Sequence, residues 1–206
     1  MKQNTTLQNS IIHLEEPESI WEHLHLRSAI QYFWLGRQPY MPIWTLQKAL
    51  HEKRTSGKIS DVVLLLEHEH VYTLGKNSNT DLLLDSKPHN AEVMQIDRGG
   101  QVTYHGPGQL VCYPILDLHN YRMSVSWYMR NLEGVIIRAL KTLGLEASRK
   151  EELTGVWIGD EKISAMGVRL SRWVTMHGFA LNLDPDMKYF DGMIPCGIFN
   201  YGVTSL

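Results

Sequence analysis

The chain contains only two cysteines among its 206 residues, Cys112 and Cys196. Two isolated thiols are too few for a disulfide framework and do not form a C-x-x-C metal or redox site, so we expect both to be reduced. No apolar run approaches the ~20 residues that a membrane-spanning helix needs, and the polar first ten residues lack the apolar centre of a secretion signal. These absences predict a cytoplasmic protein with no membrane partner.

The sequence also lacks an excess of charge of either sign. Twenty basic and twenty-two acidic residues give a formal net charge of −2, without a basic run. Because nucleic-acid-binding surfaces are rich in Lys and Arg, we expect no nucleic-acid partner. A content of 43% hydrophobic and 20% charged residues is typical of a globular protein. We predict a polar extension at 1–28 and a single domain at 29–206, and we expect a monomer.

Hydrophobic patterns predict both helices and strands. Five consecutive aliphatic residues, Val62 to Leu66, indicate a strand that is covered on both faces. Apolar residues spaced by three and four predict a long helix that begins after Ser124 and ends before Gly144, and a shorter helix that begins near Met41 and ends at Thr55-Ser56-Gly57. Further segments read as a short helix at 19–25, one helical turn at 187–190, and strands at 30–35, 93–96, 102–104, 109–116, 155–158, 162–170 and 173–183.

We expect Gly36 to end the first of these strands, and Pro114 to mark either an irregularity or a sheet edge. The last three strands form a β-meander with short connections. The sequence therefore predicts an α+β fold, a mixed and largely antiparallel sheet flanked by helices.

The region from Arg98 to Leu118 is the most distinctive of the chain. Four glycines surround a short β-prone run, and polar side chains are concentrated at the same bends. Glycines of this kind serve either ordinary hairpin turns or bends whose backbone approaches a ligand closely. The polar residues at the bends favour the ligand-binding alternative.

The same residues, Arg-Gly-Gly-Gln-Val-Thr-Tyr-His-Gly-Pro-Gly-Gln at 98–109, resemble the signature of the lipoyl(octanoyl) transferases. These enzymes move an octanoyl group from acyl carrier protein to a lysine of lipoate-dependent enzyme domains. Segments 65–75, 162–169 and 194–197 resemble the family in the same order, so the resemblance covers about residues 30–206. It implies the fold of the biotin and lipoate protein ligases and a single catalytic acyltransferase domain without cofactor or metal. The family usually continues beyond the position of Leu206, so we expect either that the domain lacks its usual C-terminal end or that the protein is unusually short.

Acyl transfer from a thioester to an amine requires a nucleophile and a group that tunes it. Cys196 lies between Pro195 and Gly197 on a predicted bend, whereas Cys112 lies in a strand and is predicted to be packed. Lys162 follows a turn and, taken alone, is typical of a solvated lysine. The resemblance implies that Cys196 is the acylated nucleophile and Lys162 the catalytic lysine. An ammonium ~4 Å from a thiolate contributes up to ~4 kcal/mol at an effective dielectric constant of 20, enough to hold the thiolate.

Histidines offer alternatives to the lysine. His105 lies in the glycine bend and His177 precedes a Gly-Phe-Ala sequence, and either could pair with a cysteine. His68 and His70 suggest a metal site, but no third ligand is evident, so we expect a structural role for them. The resemblance ranks Lys162 first and implies that His105 lines the substrate pocket.

By resemblance, the octanoyl chain lies along three segments, in which small residues leave room for a tunnel. Met166 replaces a branched aliphatic residue of the relatives. Each buried methylene contributes only ~0.8 kcal/mol, so we expect a soft preference for chain length. The implied substrate-binding residues are Arg98, Gly99, Gly100, Gln101, Val102, Thr103, Tyr104, His105, Ala165, Met166, Gly167, Gly178, Phe179 and Ala180.

The resemblance implies octanoyl-acyl carrier protein as donor, and lipoyl domains of 2-oxoacid dehydrogenase complexes and the glycine cleavage H protein as acceptors. Two alternatives remain open. A lipoate or biotin protein ligase would share the fold but must adenylate its acid, and no Gly-x-x-x-x-Gly-Lys-Ser/Thr loop is found in the sequence. An inactive acyl-binding module would have no use for both Cys196 and Lys162.

Overall fold

A computed structural model describes residues 11–24, 30–194 and 201–206. The predicted nucleophile Cys196 and its neighbours Pro195 and Gly197 lie outside these ranges. The described α-helices are α1 Ile20–His23, α2 Tyr40–Thr55 and α3 Val125–Thr142, and 3₁₀ helices span Pro17–Ser19, Thr80–Leu82, Leu118–Asn120 and Met187–Gly192. The described strands are β1 Ile11–His13, β2 Gln31–Gln38, β3 Val62–His68, β4 Val71–Leu74, β5 Glu92–Gln95, β6 Val102–His105, β7 Gln109–Ile115, β8 Ser148–Lys150, β9 Leu153–Ile158, β10 Glu161–Ser171, β11 Val174–Asn182 and β12 Gly202–Val203.

The larger sheet has the strand order β1-β2-β3-β7-β11-β10-β9-β8, and β12 pairs with β10. Strands β1, β2 and β3 run parallel to one another, whereas every pair from β3 to β8 is antiparallel. Strand β12 lies parallel to β10 and pairs Val203 with Lys162. The predicted α+β fold with a mixed, largely antiparallel sheet is therefore confirmed.

Helices cover the two faces of this sheet. On one face, Ile43, Leu46 and Leu50 of α2 pack in a cluster with alternate residues of β3. On the other, Leu132, Ile136 and Leu140 of α3 pack with Val63. Side chains alternate between the faces of a strand, so the aliphatic run of β3 supplies both cores. The prediction that β3 is covered on both faces is confirmed.

The ends of the helices follow the predicted signals. The Ser124 hydroxyl accepts a hydrogen bond from the Trp127 amide at 3.3 Å and caps α3. Gly144 follows α3 with a φ of +81°, and Gly57 follows α2 with a φ of +69°. Only glycine adopts this left-handed conformation without strain, which explains why both helices stop there.

Two strand predictions need correction. Gly36 does not end β2, because a register shift between Trp34 and Arg37 carries the strand past it. Pro114 lies in β7, an interior strand, and not at an edge. The irregularity predicted there is present, since the β11 ladder stops opposite Cys112 and the Thr175 hydroxyl donates to the Pro114 carbonyl at 2.7 Å. That hydroxyl also accepts from the Leu116 amide, in place of a regular ladder bond.

A second sheet, which the sequence reading did not predict, has the strand order β5-β4-β6. The backbone between β5 and β6 approaches β10 of the larger sheet, where the Gly99 amide donates to the Val168 carbonyl at 3.1 Å. A side chain at Gly167 would lie 2.7 Å from the Gly99 carbonyl oxygen, so the two sheets meet through backbone. This contact encloses a space that most of the predicted substrate-binding residues line.

Candidate functional site

A pocket with an empty volume of about 490 Å³ lies between the two sheets. The segment from Arg98 to His105 forms one wall, and β10 and β11 form the other. The lining residues are Tyr40, Arg98, Gly100, Gln101, Val102, Thr103, His105, Tyr113, Ala165, Met166, Gly167, His177, Gly178, Phe179 and Ala180. We refer to it as the main pocket.

Arg98 is buried at the wall of the main pocket and is held by the backbone and hydroxyl of β4. Its Nη2 donates to the Thr73 carbonyl at 2.6 Å and to the Thr73 hydroxyl at 3.0 Å, and its Nη1 donates to the Gly99 carbonyl at 3.0 Å. Several hydrogen bonds from one rigid guanidinium fix the bend in place. Arg98 therefore shapes the wall of the pocket.

Tyr40, His105 and Tyr113 line part of the main pocket, and with buried His68, which contacts all three, they form what we call the polar end. His68 Nε2 lies 2.8 Å from the Tyr113 hydroxyl, and its Nδ1 lies 3.0 Å from the Gln38 carbonyl. The rings of His68 and His105 lie 5.8 Å apart, and Tyr40 packs against both. Burial lowers the pKa of His68 to about 4 and that of His105 to about 3. At neutral pH both imidazoles are uncharged.

A chain of amide hydrogen bonds sets the tautomer of His105. The Asn182 amide nitrogen donates to the Thr204 carbonyl, which leaves the Asn182 side-chain oxygen to accept from Gln109 Nε2 at 2.9 Å. The Gln109 side-chain oxygen then accepts from His105 Nδ1 at 2.8 Å. The proton of neutral His105 therefore lies on Nδ1. With a pKa near 3, its Nε2 is too weak a base to deprotonate a thiol at neutral pH.

His177 lines the main pocket from β11 in a left-handed conformation with a φ of +59°. Its Nε2 lies 3.0 Å from Asp97, which also accepts from Arg169 at 2.5 Å. The His177 hydrogen bond, the largest cause, lowers the pKa of Asp97 to about 2, whereas burial lowers the pKa of His177. An ionised Asp97 holds the proton of neutral His177 on Nε2. His177 is thus anchored by Asp97 through Nε2, and no described group forms a hydrogen bond with its buried Nδ1.

A smaller pocket of about 320 Å³ adjoins the main pocket and contains Lys162. The two pockets share Val102, Thr103 and Ala165. The remaining lining residues of this lysine pocket are Gln109, Asn182, Phe190, Met193 and Val203. The lysine pocket and the main pocket are therefore adjacent.

Lys162 is a buried residue of β10 with a relative exposure of 6%. Its Nζ lies 4.8 Å from the ring centroid of Trp157, its cross-strand partner on β9. On its other side the Lys162 carbonyl accepts from the Thr204 amide at 3.1 Å, just after β12. This position differs from that of a solvated turn lysine, the alternative that the sequence alone favoured.

Most of the predicted substrate-binding residues come together, and two do not line the main pocket. Gly99 contacts β10 through its backbone instead. Tyr104 lies on β6 with its side chain on the opposite face from Thr103, and its hydroxyl lies 2.7 Å from His70 Nδ1. Tyr104 packs with Tyr72 and Tyr189 in a separate core. The alternation of side chains along β6 explains why Tyr104 does not line the main pocket.

The two cysteines differ in how far the structure describes them. Cys112 is buried in β7, and burial raises the pKa of its thiol to about 12, so it is an inert core residue as predicted. Cys196 lies outside the described residues. Met193, which precedes it in the sequence, and Val203, which follows it, both line the lysine pocket.

Several site residues were missed by the reading of the sequence. Tyr40 and Tyr113 reach the main pocket, and Gln109 and Asn182 reach the lysine pocket, from elements far apart in the chain. Gln109 was noted among the polar residues of the glycine-rich bends without a role. The others carry no local signal, because a single tyrosine or asparagine in a strand is common in cores and surfaces alike.

Within the described ranges, no three His, Cys, Asp or Glu side chains come close enough together to hold a metal ion. None of the described helices is both long and apolar enough to cross a membrane.

Comparison with known proteins shows what this arrangement is similar to. Residues 39–206 match the family model of the lipoyl protein ligase A/B catalytic domain. The chain is 49% identical over 173 residues to the octanoyltransferase of Nostoc punctiforme, covering 83% of this chain and 75% of that protein. It is 47% identical over 201 residues to the octanoyltransferase of Flavobacterium johnsoniae, covering 88% of this chain and 87% of that protein.

Solved structures with low sequence identity share the fold. A crystal structure of lipoate-protein ligase A bound with ATP superposes with a TM-score of 0.62 at 14% identity, covering 82% of this chain and 75% of the other. A bipartite lipoate protein ligase from Thermoplasma acidophilum, studied with its E2 lipoyl domain, gives a TM-score of 0.62 at 16% identity, covering 88% and 75%. These likenesses establish a lipoate ligase-like fold.

Proposed function

The chain belongs to the octanoyltransferases of the lipoyl protein ligase A/B catalytic family, and from that premise we propose that it transfers an octanoyl group to protein lysines through a thioester on Cys196. The observation that carries this proposal is the buried amine of Lys162 in a pocket that shares its wall with the main pocket. An acyl chain in the main pocket would extend its carbonyl toward this amine. Residues 29–206 then form the acyltransferase domain.

Two steps make up the proposed reaction. The Cys196 thiolate attacks the thioester carbonyl of the donor, the carbon–sulfur bond to the donor breaks, and the donor leaves as a thiolate that takes a proton from the Lys162 ammonium, so that Lys162 becomes a neutral amine able to accept a proton in the next step. The neutral amine of the acceptor lysine then attacks the enzyme thioester, the bond to Cys196 breaks, and an amide forms. The proton of the attacking amine passes to the departing thiolate or to Lys162.

Lys162 is the group that we assign to hold Cys196 as a thiolate. Met193 and Val203, which bracket Cys196 in the sequence, line the same pocket as Lys162, and this supports the pairing. A nearby ammonium lowers the pKa of a thiol, and the two groups titrate as a coupled pair. The alternative bases are less suited, because burial lowers the pKa of both His105 and His177 and so makes each imidazole a weaker base.

The proposed donor is octanoyl-acyl carrier protein, and the proposed acceptors are lipoyl domains of 2-oxoacid dehydrogenase complexes and the glycine cleavage H protein. The lipoate ligase of similar fold from Thermoplasma acidophilum was studied with an E2 lipoyl domain, which supports this class of acceptor. We propose a monomer that acts in the cytoplasm without a cofactor.

Intact mass spectrometry after incubation with octanoyl-acyl carrier protein tests the proposal. One octanoyl group should be added to the protein, and hydroxylamine should remove it because it cleaves thioesters. Cys196→Ala should abolish the adduct, whereas Cys112→Ala, the matched control, should retain it. A persistent adduct in Cys196→Ala would overturn the assignment of the nucleophile.

Omission of ATP and magnesium distinguishes a transferase from a ligase. Transfer from the thioester to a lipoyl domain should proceed without either. If free octanoate is used only when ATP is added, the protein acts as a ligase and the proposal is wrong.

A further inference from the structure

Lys162 lies on a platform made by two neighbouring residues of β9, Gly155 and Trp157. A residue of β9 directly opposite Lys162 presents its side chain on the same face of the sheet, and that residue is Trp157. The ammonium nitrogen lies 4.8 Å from the centroid of the indole ring. A cation within about 6 Å of an aromatic face is attracted by the negative potential of that face.

Gly155 makes room for the stem of the lysine. A Cβ atom at this position would lie 3.2 Å from Lys162 Cε, 3.4 Å from Cδ and 2.9 Å from the Ser164 carbonyl oxygen. Its φ of +137° also favours glycine. The stem therefore crosses the bare backbone of Gly155, and the amine comes to rest over Trp157.

The platform is fixed from behind by α3. The Gly155 amide donates to Glu133 Oε1 at 3.2 Å, and Glu133 is almost fully buried. Its other oxygen accepts from Arg130 at 2.8 Å and from Arg149 at 2.9 Å. Two guanidinium groups thus neutralise and orient the carboxylate that fixes the backbone of β9.

The indole ring itself is held by packing and not by its N–H group. Trp157 is 1% exposed, and its Nε1 finds no hydrogen-bond acceptor within the described part of the chain. Buried tryptophans ordinarily satisfy this donor, so its burial here is costly. The ring of Tyr201 packs on Trp157 at 5.2 Å in an edge-to-face arrangement. Trp157 therefore contacts its neighbours through its ring face, and Lys162 lies over that face.

From this geometry we propose that Trp157 is a positioning residue that holds the Lys162 amine as an ammonium beside the main pocket, with Gly155 setting its place. The catalytic value of this arrangement rests on the proposed function, in which the ammonium stabilises the Cys196 thiolate. The effect of Trp157 on the lysine itself does not depend on the proposed function. The effect on the lysine and the effect on octanoyl transfer are therefore measured separately.

Other charged groups around the platform are accounted for by their own contacts. Lys150 of β8 lies 5.5 Å from the Trp157 ring and is paired with Asp160 at 2.6 Å. Glu161 is exposed beside Gly202, and His105, on β6, is neutral. Glu133 is paired with its two arginines. Among the described groups, Lys150 therefore offers the matched control, because it is a second amine near the same ring.

The test measures the pKa of Lys162 by NMR in full-length protein labelled with ¹³C at lysine Cε and carrying Cys196→Ala, so that no thiolate contributes. Loss of one signal in Lys162→Arg assigns the resonance. Trp157→Leu should lower the pKa of Lys162 by about one unit, because removal of the ring face removes a preference for the charged form. Trp157→Phe, which keeps an aromatic face, should lower it by about half as much. Lys150→Met removes a neighbouring positive charge and should leave the pKa unchanged or slightly higher.

An unchanged pKa in folded Trp157→Leu, checked by circular dichroism, would overturn the inference. If the leucine variant does not fold, the measurement is made on Trp157→Phe. An unchanged pKa of Lys162 in that variant would also overturn the inference. With Cys196 intact, octanoyl transfer should fall by about tenfold in Trp157→Leu and recover partly in Trp157→Phe. A lowered lysine pKa together with absent acylation of Cys196 would support the platform and refute the proposed function.

Discussion

The polar end of the main pocket and the lysine pocket differ in how their polar side chains are held and charged. At the polar end His68, His105 and Tyr113 are buried and hydrogen-bonded, and both imidazoles are neutral. In the lysine pocket an amine lies over an aromatic face beside a carboxamide-lined wall. Groups that are satisfied and neutral stabilise a cavity without reacting in it, whereas a positioned amine can stabilise a charge that develops nearby.

The largest expected effect belongs to the lysine pocket. Lys162→Met keeps much of the volume of the stem but removes the amine, so octanoyl transfer should fall by about 10²- to 10⁴-fold. Steady-state transfer to a lipoyl domain measures the change. Lys53→Met, on α2 and packed over Trp21, removes an equivalent amine far from the pocket and should stay within about threefold of the parent. Transfer by Lys162→Met within tenfold of the parent would remove the distinction between the two ends.

At the polar end, substitution should affect stability before chemistry. His68→Leu leaves the Tyr113 hydroxyl and the Gln38 carbonyl without their buried partner. The free energy of unfolding should decrease by about 2 kcal/mol, measured by urea denaturation. The pH profile of Cys196 alkylation by iodoacetamide should remain that of the parent. A shifted profile would show that the polar end takes part in tuning the nucleophile.

Acid should weaken the anchor of His177. The pKa of Asp97 is lowered from 3.8 to about 2, so its contribution to stability is complete above pH 4 and is lost as the pH falls toward 2. Since the side chain is one-third exposed, the contribution is about 1 kcal/mol. The variant Asp97→Asn should lack this pH-dependent contribution to the free energy of unfolding. Urea denaturation at pH 5 and pH 2.5 measures it, and equal losses in the two proteins would contradict the role given to Asp97.

The smallest effect concerns the acyl chain. If the main pocket holds the chain by burial alone, each methylene contributes about 0.8 kcal/mol, or about fourfold in kcat/KM. Heptanoyl and octanoyl donors should differ by about that factor. A difference of more than about tenfold for one methylene would show that the pocket selects chain length by more than burial.

Much of the fold could be predicted because its signals are local. The aliphatic run of β3, the apolar spacing of α3 and the caps Ser124 and Gly144 each act within a few residues. Two strands of the second sheet were predicted, at 93–96 and 102–104, but β4 and the separation of these strands from the larger sheet were not. Which strands pair is decided by tertiary contacts and not by local sequence.

In the candidate site, too, the residues that could be predicted carry a local sequence signal, and the others depend on long-range contacts. Motif residues such as Lys162 and Ala165 could be placed by resemblance, since they follow one another along β10. Trp157 could not, because its relation to Lys162 depends on the pairing of β9 with β10. The tautomer of His105 depends on a bond chain that ends at Thr204, about a hundred positions away in the sequence. Long-range contacts of this kind leave no local pattern.

The two sheets meet through the backbone of Gly99 and Gly167, and this contact affects how the pocket can be changed by substitution. Its width there is fixed by main-chain atoms, since even one added carbon at Gly167 would lie 2.7 Å from a carbonyl oxygen. Elsewhere the pocket is lined by side chains such as that of Met166, which substitution can change. Met166→Val, which replaces a lining side chain by a smaller one, should therefore enlarge the pocket, whereas a bulkier acyl group at the glycine contact would require the sheets themselves to separate.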